Sequence, residues 1–171
     1  MSVTPQDFDL DAWLDDAERP ARSVTVYQKA GLIADLDRLA EQIEHADEDE
    51  DVDGPSMTGG VRRLRAEYAK VAQQFHDSGL SIRIQALDEL EKLDMRKANP
   101  DLSPAQLGYL VISSAITSPK MTPAQLEKLE KRIGETQFNR VIAKFHEACN
   151  EMPSVSADFL PKSSTQGDGG E

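Results

Sequence analysis

Two successive stretches of the chain place hydrophobic side chains three or four residues apart, the spacing of an amphipathic helix. The first stripe has intervals of 4, 3 and 4 and consists of Leu32, Leu36, Leu39 and Ile43. The second has intervals of 3, 4, 3 and 4 and consists of Val61, Leu64, Tyr68, Val71 and Phe75. The first helix is predicted to end near Ala46. Because a long acidic segment joins them, the two helices are expected to pair as an antiparallel hairpin.

A different pattern, alternation of apolar and polar residues, runs through residues 80–86 and is typical of a strand with one buried face. Residues 24–27 form a shorter β-prone stretch, and the two are expected to pair as a two-stranded element. A helix over 87–97 is predicted next, with its leucines on one side: Leu87, Leu90 and Leu93.

Two similar motifs predict where later helices begin. At Ser103 and again at Thr122, a hydroxyl residue is followed by Pro and, three residues on, by Gln. The hydroxyl can cap the helix, Pro suits its first turn, and the Gln side chain can bond back to the cap. These motifs predict helices over 104–117 and 123–133, with Gly134 as the break that follows.

The helix over 104–117 is apolar on most sides and is expected to be the central core helix. A last helix, over 136–149, is expected to bury four residues: Phe138, Val141, Ile142 and Phe145.

These elements predict a mainly α protein with an N-terminal helical hairpin arm, a compact helical bundle with a two-stranded β element, and a disordered C-terminal tail. Four segments follow from this division of the chain. They are an acidic N-terminal segment (1–23), the hairpin (24–79) with an acidic loop (47–60), the strand and bundle (80–150), and the tail (151–171).

The net charge of −12 lies entirely in the first third of the chain. Residues 1–54 contain 16 Asp or Glu and 4 Lys or Arg, whereas residues 55–171 contain 15 of each. The densest acidic run, over 47–53, is expected to be a solvated and disordered joint. This distribution argues against a nucleic-acid partner, since such binding needs a positive surface for the phosphates.

Cysteine content and hydropathy predict a soluble cytoplasmic protein. Cys149 is the single cysteine, which excludes an internal disulfide and suits a reducing compartment. No apolar run approaches the roughly 18–20 residues of a membrane span, and the N-terminus lacks a signal-peptide pattern. No membrane partner is expected.

Candidate chemistry is sparse. The three histidines, His45, His76 and His146, are scattered, and none is expected to hold a metal. Cys149 follows His146 by three residues, but no third group orients this pair, and a simple buried thiol is expected. The segment from Asp49 to Gly54 begins like a calcium loop, but the position that needs a bidentate Glu is Gly60. No catalytic constellation, metal site or cofactor is expected, and the chain is predicted not to be an enzyme.

Apolar residues among aspartates make residues 8–14 the best candidate for a binding motif. Phe8, Trp13 and Leu14 can serve as anchors on a short helix. That helix either docks on the protein's own core or presents a partner-binding surface steered by charge. Phe159 and Leu160, the apolar point of the tail, are further candidate partner-binding residues.

In the order and composition of its short segments, the sequence resembles the tail assembly chaperones of long-tailed phages that infect actinobacteria. The stretches that carry the resemblance are DFDLDAWL (7–14), ERP (18–20), RSVTVY (22–27), LSIRIQAL (80–87), GETQF (134–138) and DFLPKSS (158–164). The resemblance implies a non-enzymatic protein of the host cytoplasm that binds the tape-measure protein, keeps its apolar helices soluble and brings tail-tube protein subunits to it. It also implies a longer product made by ribosomal frameshifting.

Two other interpretations stay open. The chain can be an acidic helical adaptor that occupies a basic partner, or a minor structural protein of the tail. Self-association is also left open.

Overall fold

The computed structural model describes residues 8–50 and 58–151. The elements in this part of the chain are α1 (Leu10–Asp15), β1 (Ala21–Tyr27), α2 (Leu32–Glu50), α3 (Thr58–Asp77), β2 (Gly79–Gln85), α4 (Glu89–Ala98), α5 (Pro104–Ala115), β3 (Ile116–Ser118), α6 (Pro123–Ile133) and α7 (Glu135–Asn150). The prediction of a mainly α protein with a hairpin arm and a small β element is confirmed.

The sheet is antiparallel with the order β1-β2-β3. The two predicted strands pair with each other along their full length, with Val26 opposite Leu80. The prediction of only two strands is wrong, because Ile116–Ser118 forms a third strand beside Arg83 and Ile84. This strand was predicted as the end of a helix, and its three residues are too few to show an alternating pattern.

One face of the sheet forms the core. Residues at alternate positions of the strands are buried there: Val24, Val26, Ile82, Ile84 and Ile116. They pack with buried residues of α6 and α7: Leu126, Phe138, Val141 and Phe145. Full burial of one such aliphatic or aromatic side chain contributes about 1.5–3 kcal/mol. The opposite face is polar, and Ser23, Ser81 and Arg83 are exposed on it.

α5 is not the central core helix that the sequence predicted. Ile112 and Ala115 are buried, but Leu107 and Leu110 are only half-buried. The helix that lies against both β1 and β2 is α7. Its predicted core residues Phe138, Val141 and Phe145 are buried, while Ile142 is partly buried.

α2 and α3 pack against each other as the predicted antiparallel hairpin. An oxygen of Asp47 lies 2.8 Å from Nη2 of Arg65, which brings the acidic end of α2 next to the basic start of α3. α2 continues past the predicted end at Ala46 to Glu50, so the prediction of a disordered joint is wrong for residues 47–50, which are helical. At the other end of the arm, Tyr27 of β1 stacks on Phe75 of α3 with ring centroids 4.2 Å apart.

The predicted helix starts are confirmed in atomic detail. Ser103 and Thr122 each accept a hydrogen bond from the backbone N–H of the Gln three residues on, whose side chain accepts one from the cap N–H. α6 ends where predicted, at Gly134, whose φ of 83° favours glycine.

Several predicted features lie outside the described residues, namely the C-terminal tail with Phe159 and Leu160, and the acidic run beyond Glu50. Within the described ranges, no helix is both long enough and apolar enough to cross a membrane.

A side chain of α7 pairs with the end of β1 as another strand would. Oε1 of Gln137 accepts a hydrogen bond of 2.7 Å from the Tyr27 N–H, and its Nε2 donates one of 3.0 Å to the Tyr27 carbonyl oxygen. The same Nε2 also donates to the Ile133 carbonyl oxygen at 3.2 Å. Gln137 thus satisfies both polar backbone groups of the last β1 residue.

We predict that Gln137→Leu, which keeps the size of the side chain, lowers the free energy of unfolding by about 1–3 kcal/mol, because it leaves partly buried backbone groups unpaired. Urea denaturation measures this change. Gln73→Leu is the matched control: Gln73 is exposed and bonds only to the Asp77 side chain, so its loss should cost less than about 0.5 kcal/mol. Equal losses for the two variants would contradict the role given to Gln137.

Candidate functional site

Helix α1 presents the predicted binding residues to solvent. The Asp9 side chain accepts a hydrogen bond of 3.1 Å from the Ala12 N–H and so caps the helix. Phe8, Trp13 and Leu14 are 45%, 56% and 54% exposed, and α1 has no buried residue. The interpretation in which this helix docks on the protein's own core is therefore wrong, and the partner-binding interpretation stays a prediction.

The aromatic rings of α1 lie next to each other within an acidic segment. The ring centroids of Phe8 and Trp13 are 6.4 Å apart. Residues 8–18 contain five carboxylates and no basic residue. α1 is thus an apolar surface surrounded by negative charge.

Arg19 ties the chain that follows α1 to the start of α4. Its Nη1 lies 2.5 Å from Oε2 of Glu91, and its Nη2 lies 3.5 Å from Oδ2 of Asp88. The hydrogen bond to Glu91 and the charges of both carboxylates raise the pKa of Arg19. Exposed ion pairs add little stability. The contact is of interest because it places Arg19, four residues after α1, beside the start of α4.

α4 turns two of its three predicted leucines outward. Leu87, just before the helix, packs against the core, but Leu90 and Leu93 are 66% and 41% exposed. The sequence pattern placed them on one side of the helix without showing that this side faces solvent.

A first groove, here called the α4–α5–α7 groove, is about 580 Å³ in volume. Five of its apolar lining residues are Leu102, Leu107, Val111, Ile142 and Phe145. Lys92 lies at this groove, where its Nζ is 5.6 Å from the centroid of the Phe145 ring and 2.8 Å from Oε1 of Glu89. Arg96 and His146 also line it.

Gly108 leaves one wall of the α4–α5–α7 groove open. Apart from its chain neighbours and the backbone of its own helix, a Cβ atom added at this position would meet no atom within 4 Å. A side chain added at residue 108 would therefore start in open space beside the other groove residues.

A second groove, here called the sheet–α6 groove, is about 510 Å³ in volume and lies between α6 and the end of the sheet where β1 finishes. Its apolar lining residues are Val26, Leu80, Met121, Leu129 and Ile133. Its basic residues are Lys120, Lys128 and Arg132, and no carboxylate among the described residues lines it.

The carboxylates of α6 near this groove are already bonded elsewhere. Oε1 of Glu127 lies 2.6 Å from Nζ of Lys131, and Glu130 accepts a short hydrogen bond from the Tyr109 hydroxyl of α5. The groove is therefore positively charged on a strongly acidic protein.

Sequence reasoning identified α1 but neither groove. Each groove combines residues that are distant in the sequence, so no local pattern marks it. The Gly within an apolar helix at 108 was the one signal available for the α4–α5–α7 groove.

Possible metal ligands are not clustered in the described residues. Within 8–50 and 58–151, no group of three or more His, Cys, Asp or Glu side chains is arranged to hold a metal ion. Cys149 is half-buried and packs against the core. The calcium-like segment includes residues outside these ranges.

No protein-family model matches the chain, and no significantly similar curated protein or solved structure was found.

The Tyr109–Glu130 hydrogen bond makes a pH-dependent contribution to stability. This bond, together with burial, raises the pKa of Tyr109 from 10.0 to about 12. Because the folded state favours the protonated phenol, the contribution is full below pH 10 and is lost as the pH rises towards 12.

We predict that Tyr109→Phe lowers the free energy of unfolding by about 1 kcal/mol near neutral pH, through loss of this bond. The difference from the parent protein should shrink as the pH is raised from 10 towards 12. Urea titrations of both proteins across this range measure it, and a difference that stays constant with pH would contradict the assignment.

We also predict that Gly108→Ala raises the free energy of unfolding by about 0.5–1 kcal/mol, since Ala is the better helix former and meets no obstacle. Gly79→Ala is the contrasting variant. There the added Cβ would lie 3.1 Å from both the His76 carbonyl oxygen and Cγ2 of Thr25, so thermal denaturation should show a loss of stability. A loss of stability in Gly108→Ala would contradict the open space described at this position.

Proposed function

We propose that this protein is a non-enzymatic tail assembly chaperone of a long-tailed phage. In the host cytoplasm it binds apolar helices of the tape-measure protein, keeps them soluble and assists their meeting with the tail-tube protein. The choice of this family rests on the sequence resemblance. The structural observations that support it are two exposed apolar features, the side chains of α1 and the α4–α5–α7 groove.

The α4–α5–α7 groove has the chemistry of a helix-binding site. α5, α7 and the residue Leu102 before α5 line it with leucine, valine, isoleucine and phenylalanine side chains, and α4 contributes Lys92 and Arg96. An amphipathic helix lays its apolar face into such a groove, and the tape-measure helices of the proposed client would provide that face.

α1 supplies aromatic anchors as a second exposed apolar surface. Arg19 holds the following chain at α4, and α4 forms one wall of the groove. Exposed Phe and Trp are frequent hot spots of protein interfaces, where truncation of one residue costs about 2 kcal/mol or more.

The acidic charge complements these apolar surfaces. A chaperone that covers an aggregation-prone helix has to keep the complex dispersed, and a net charge of −12 opposes association of one complex with another.

Co-expression with the tape-measure protein from the same genome tests the proposal. We predict that the parent chain increases the soluble tape-measure fraction and co-purifies with it. Gly108→Phe, which fills the groove, should weaken capture by about tenfold or more, and so should the combination of Phe8→Ala with Trp13→Ala.

Two matched controls accompany these variants. Gly108→Ala changes the same position without filling the groove, and Ile33→Ala removes an exposed apolar residue of α2. Both should retain capture. A tape-measure protein that is equally soluble without this chain, and never co-purifies with it, would overturn the proposal.

Two further measurements, on variants with neutralised carboxylates and on purified particles, separate the alternatives. An acidic adaptor would bind its basic partner irrespective of Gly108→Phe but would lose it when the carboxylates of α2 are neutralised. A minor tail protein would be found in purified particles, whereas a chaperone would be absent from them.

A further inference from the structure

We propose that α1 of one copy docks into the sheet–α6 groove of a second copy, so that the protein self-associates head to tail. This inference goes beyond the proposed function and needs no tape-measure partner, but it uses the same side chains of α1, and an α1 docked in a second copy is not free to anchor a tape-measure helix.

The groove offers the right surface for an acidic, apolar helix. Its floor is apolar, with Val26, Leu80 and Leu129 among its lining residues. Lys120, Lys128 and Arg132 surround that floor, all three are exposed, and none forms an ion pair with another described residue. A helix that combines apolar side chains with carboxylates would cover the apolar floor and pair with the basic residues around it.

α1 has that combination. Its apolar residues, with Phe8 just before the helix, are about half exposed: Phe8, Leu10, Trp13 and Leu14. Between them and directly after them stand four aspartates: Asp9, Asp11, Asp15 and Asp16. Docking would remove apolar surface from water on both partners and bring opposite charges together.

The geometry favours a second copy over the same chain. The groove lies beside Val26, near the last residue of β1, whereas α1 precedes the first residue, Ala21. Five residues of extended strand separate these points by about 17 Å. The link between α1 and β1 is also five residues, 16–20, and Arg19 within it is bonded to Glu91. To reach its own groove, α1 would have to give up that contact and stretch the link fully.

Such docking uses a different surface on each partner. Every copy in an assembly then offers a free α1 at one end and a free groove at the other. Contacts of this kind produce rings or open chains, and not the closed dimers of a self-complementary interface.

Trp13 reports the docking directly, because it is the single tryptophan of the chain. We expect its fluorescence to shift to the blue, and its quenching by acrylamide to fall, as the protein concentration rises from about 1 μM to about 1 mM. Sedimentation velocity on the same samples should show growth beyond the monomer. Both effects should weaken when salt is added, since the rim charges are exposed.

Charge reversal at the basic residues of the groove tests whether they hold α1. Lys128→Glu with Arg132→Glu should abolish the concentration-dependent shift of Trp13. Arg63→Glu with Lys70→Glu changes the net charge equally at two exposed α3 positions and should leave the shift intact. Restoring association to the groove variant with Asp11→Lys and Asp15→Lys in α1 would show that these charges meet.

Mixing two defective proteins tests the head-to-tail geometry. One carries Phe8→Ala and Trp13→Ala, and the other carries Lys128→Glu and Arg132→Glu. Each alone should stay monomeric. Together they retain one complete α1–groove contact, so they should form a 1:1 dimer that does not grow.

Three results would overturn the proposal. If Trp13 is already protected from acrylamide in a monomer at the lowest concentration, α1 docks within its own chain. Assemblies that both sets of variants leave unchanged would use another surface. A monomer with exposed Trp13 at every concentration would show that α1 is not bound by this groove.

Discussion

The packing of one sheet face against α7 is the contact on which the other elements depend. Val24 and Val26 of β1 and Ile82 and Ile84 of β2 are buried on this face, and Phe138, Val141 and Phe145 of α7 belong to the same core. The strands are joined through the α2–α3 hairpin, so their pairing also fixes the base of that arm. On the opposite face Ser23, Ser81 and Arg83 are exposed, and among the described residues the core helices α6 and α7 pack on the apolar side.

Features determined by neighbouring residues could be predicted from the sequence, whereas features determined by distant residues could not. The capping boxes at Ser103 and Thr122 involve residues three apart, and both were predicted correctly. β3 needs β2, more than thirty residues earlier, to become a strand, and its own three residues carry no periodicity. The burial of α5 was overestimated for a related reason, since an apolar composition does not show how many sides of a helix are covered.

The same distinction applies to the candidate site. The acidic and aromatic composition of residues 8–14 indicated a binding motif, but only the packing shows that Trp13 is exposed. The two grooves were not predicted because each is built from separate segments, such as Leu80 of β2 with Leu129 of α6. The net charge of a segment did not predict the basic groove either. Residues 55–171 are neutral as a whole, and yet Lys120, Lys128 and Arg132 lie around one groove.

The side-chain amide of Gln137 has a consequence for how the sheet ends. A strand at a sheet edge offers its N–H and C=O groups to any extended chain that passes, and this is a common route to aggregation. At Tyr27 both groups are already taken by an amide that has the same donor and acceptor as a peptide bond. The Gln137 side chain of α7 therefore replaces a neighbouring strand at this one residue. An incoming chain cannot form backbone hydrogen bonds with β1 at Tyr27.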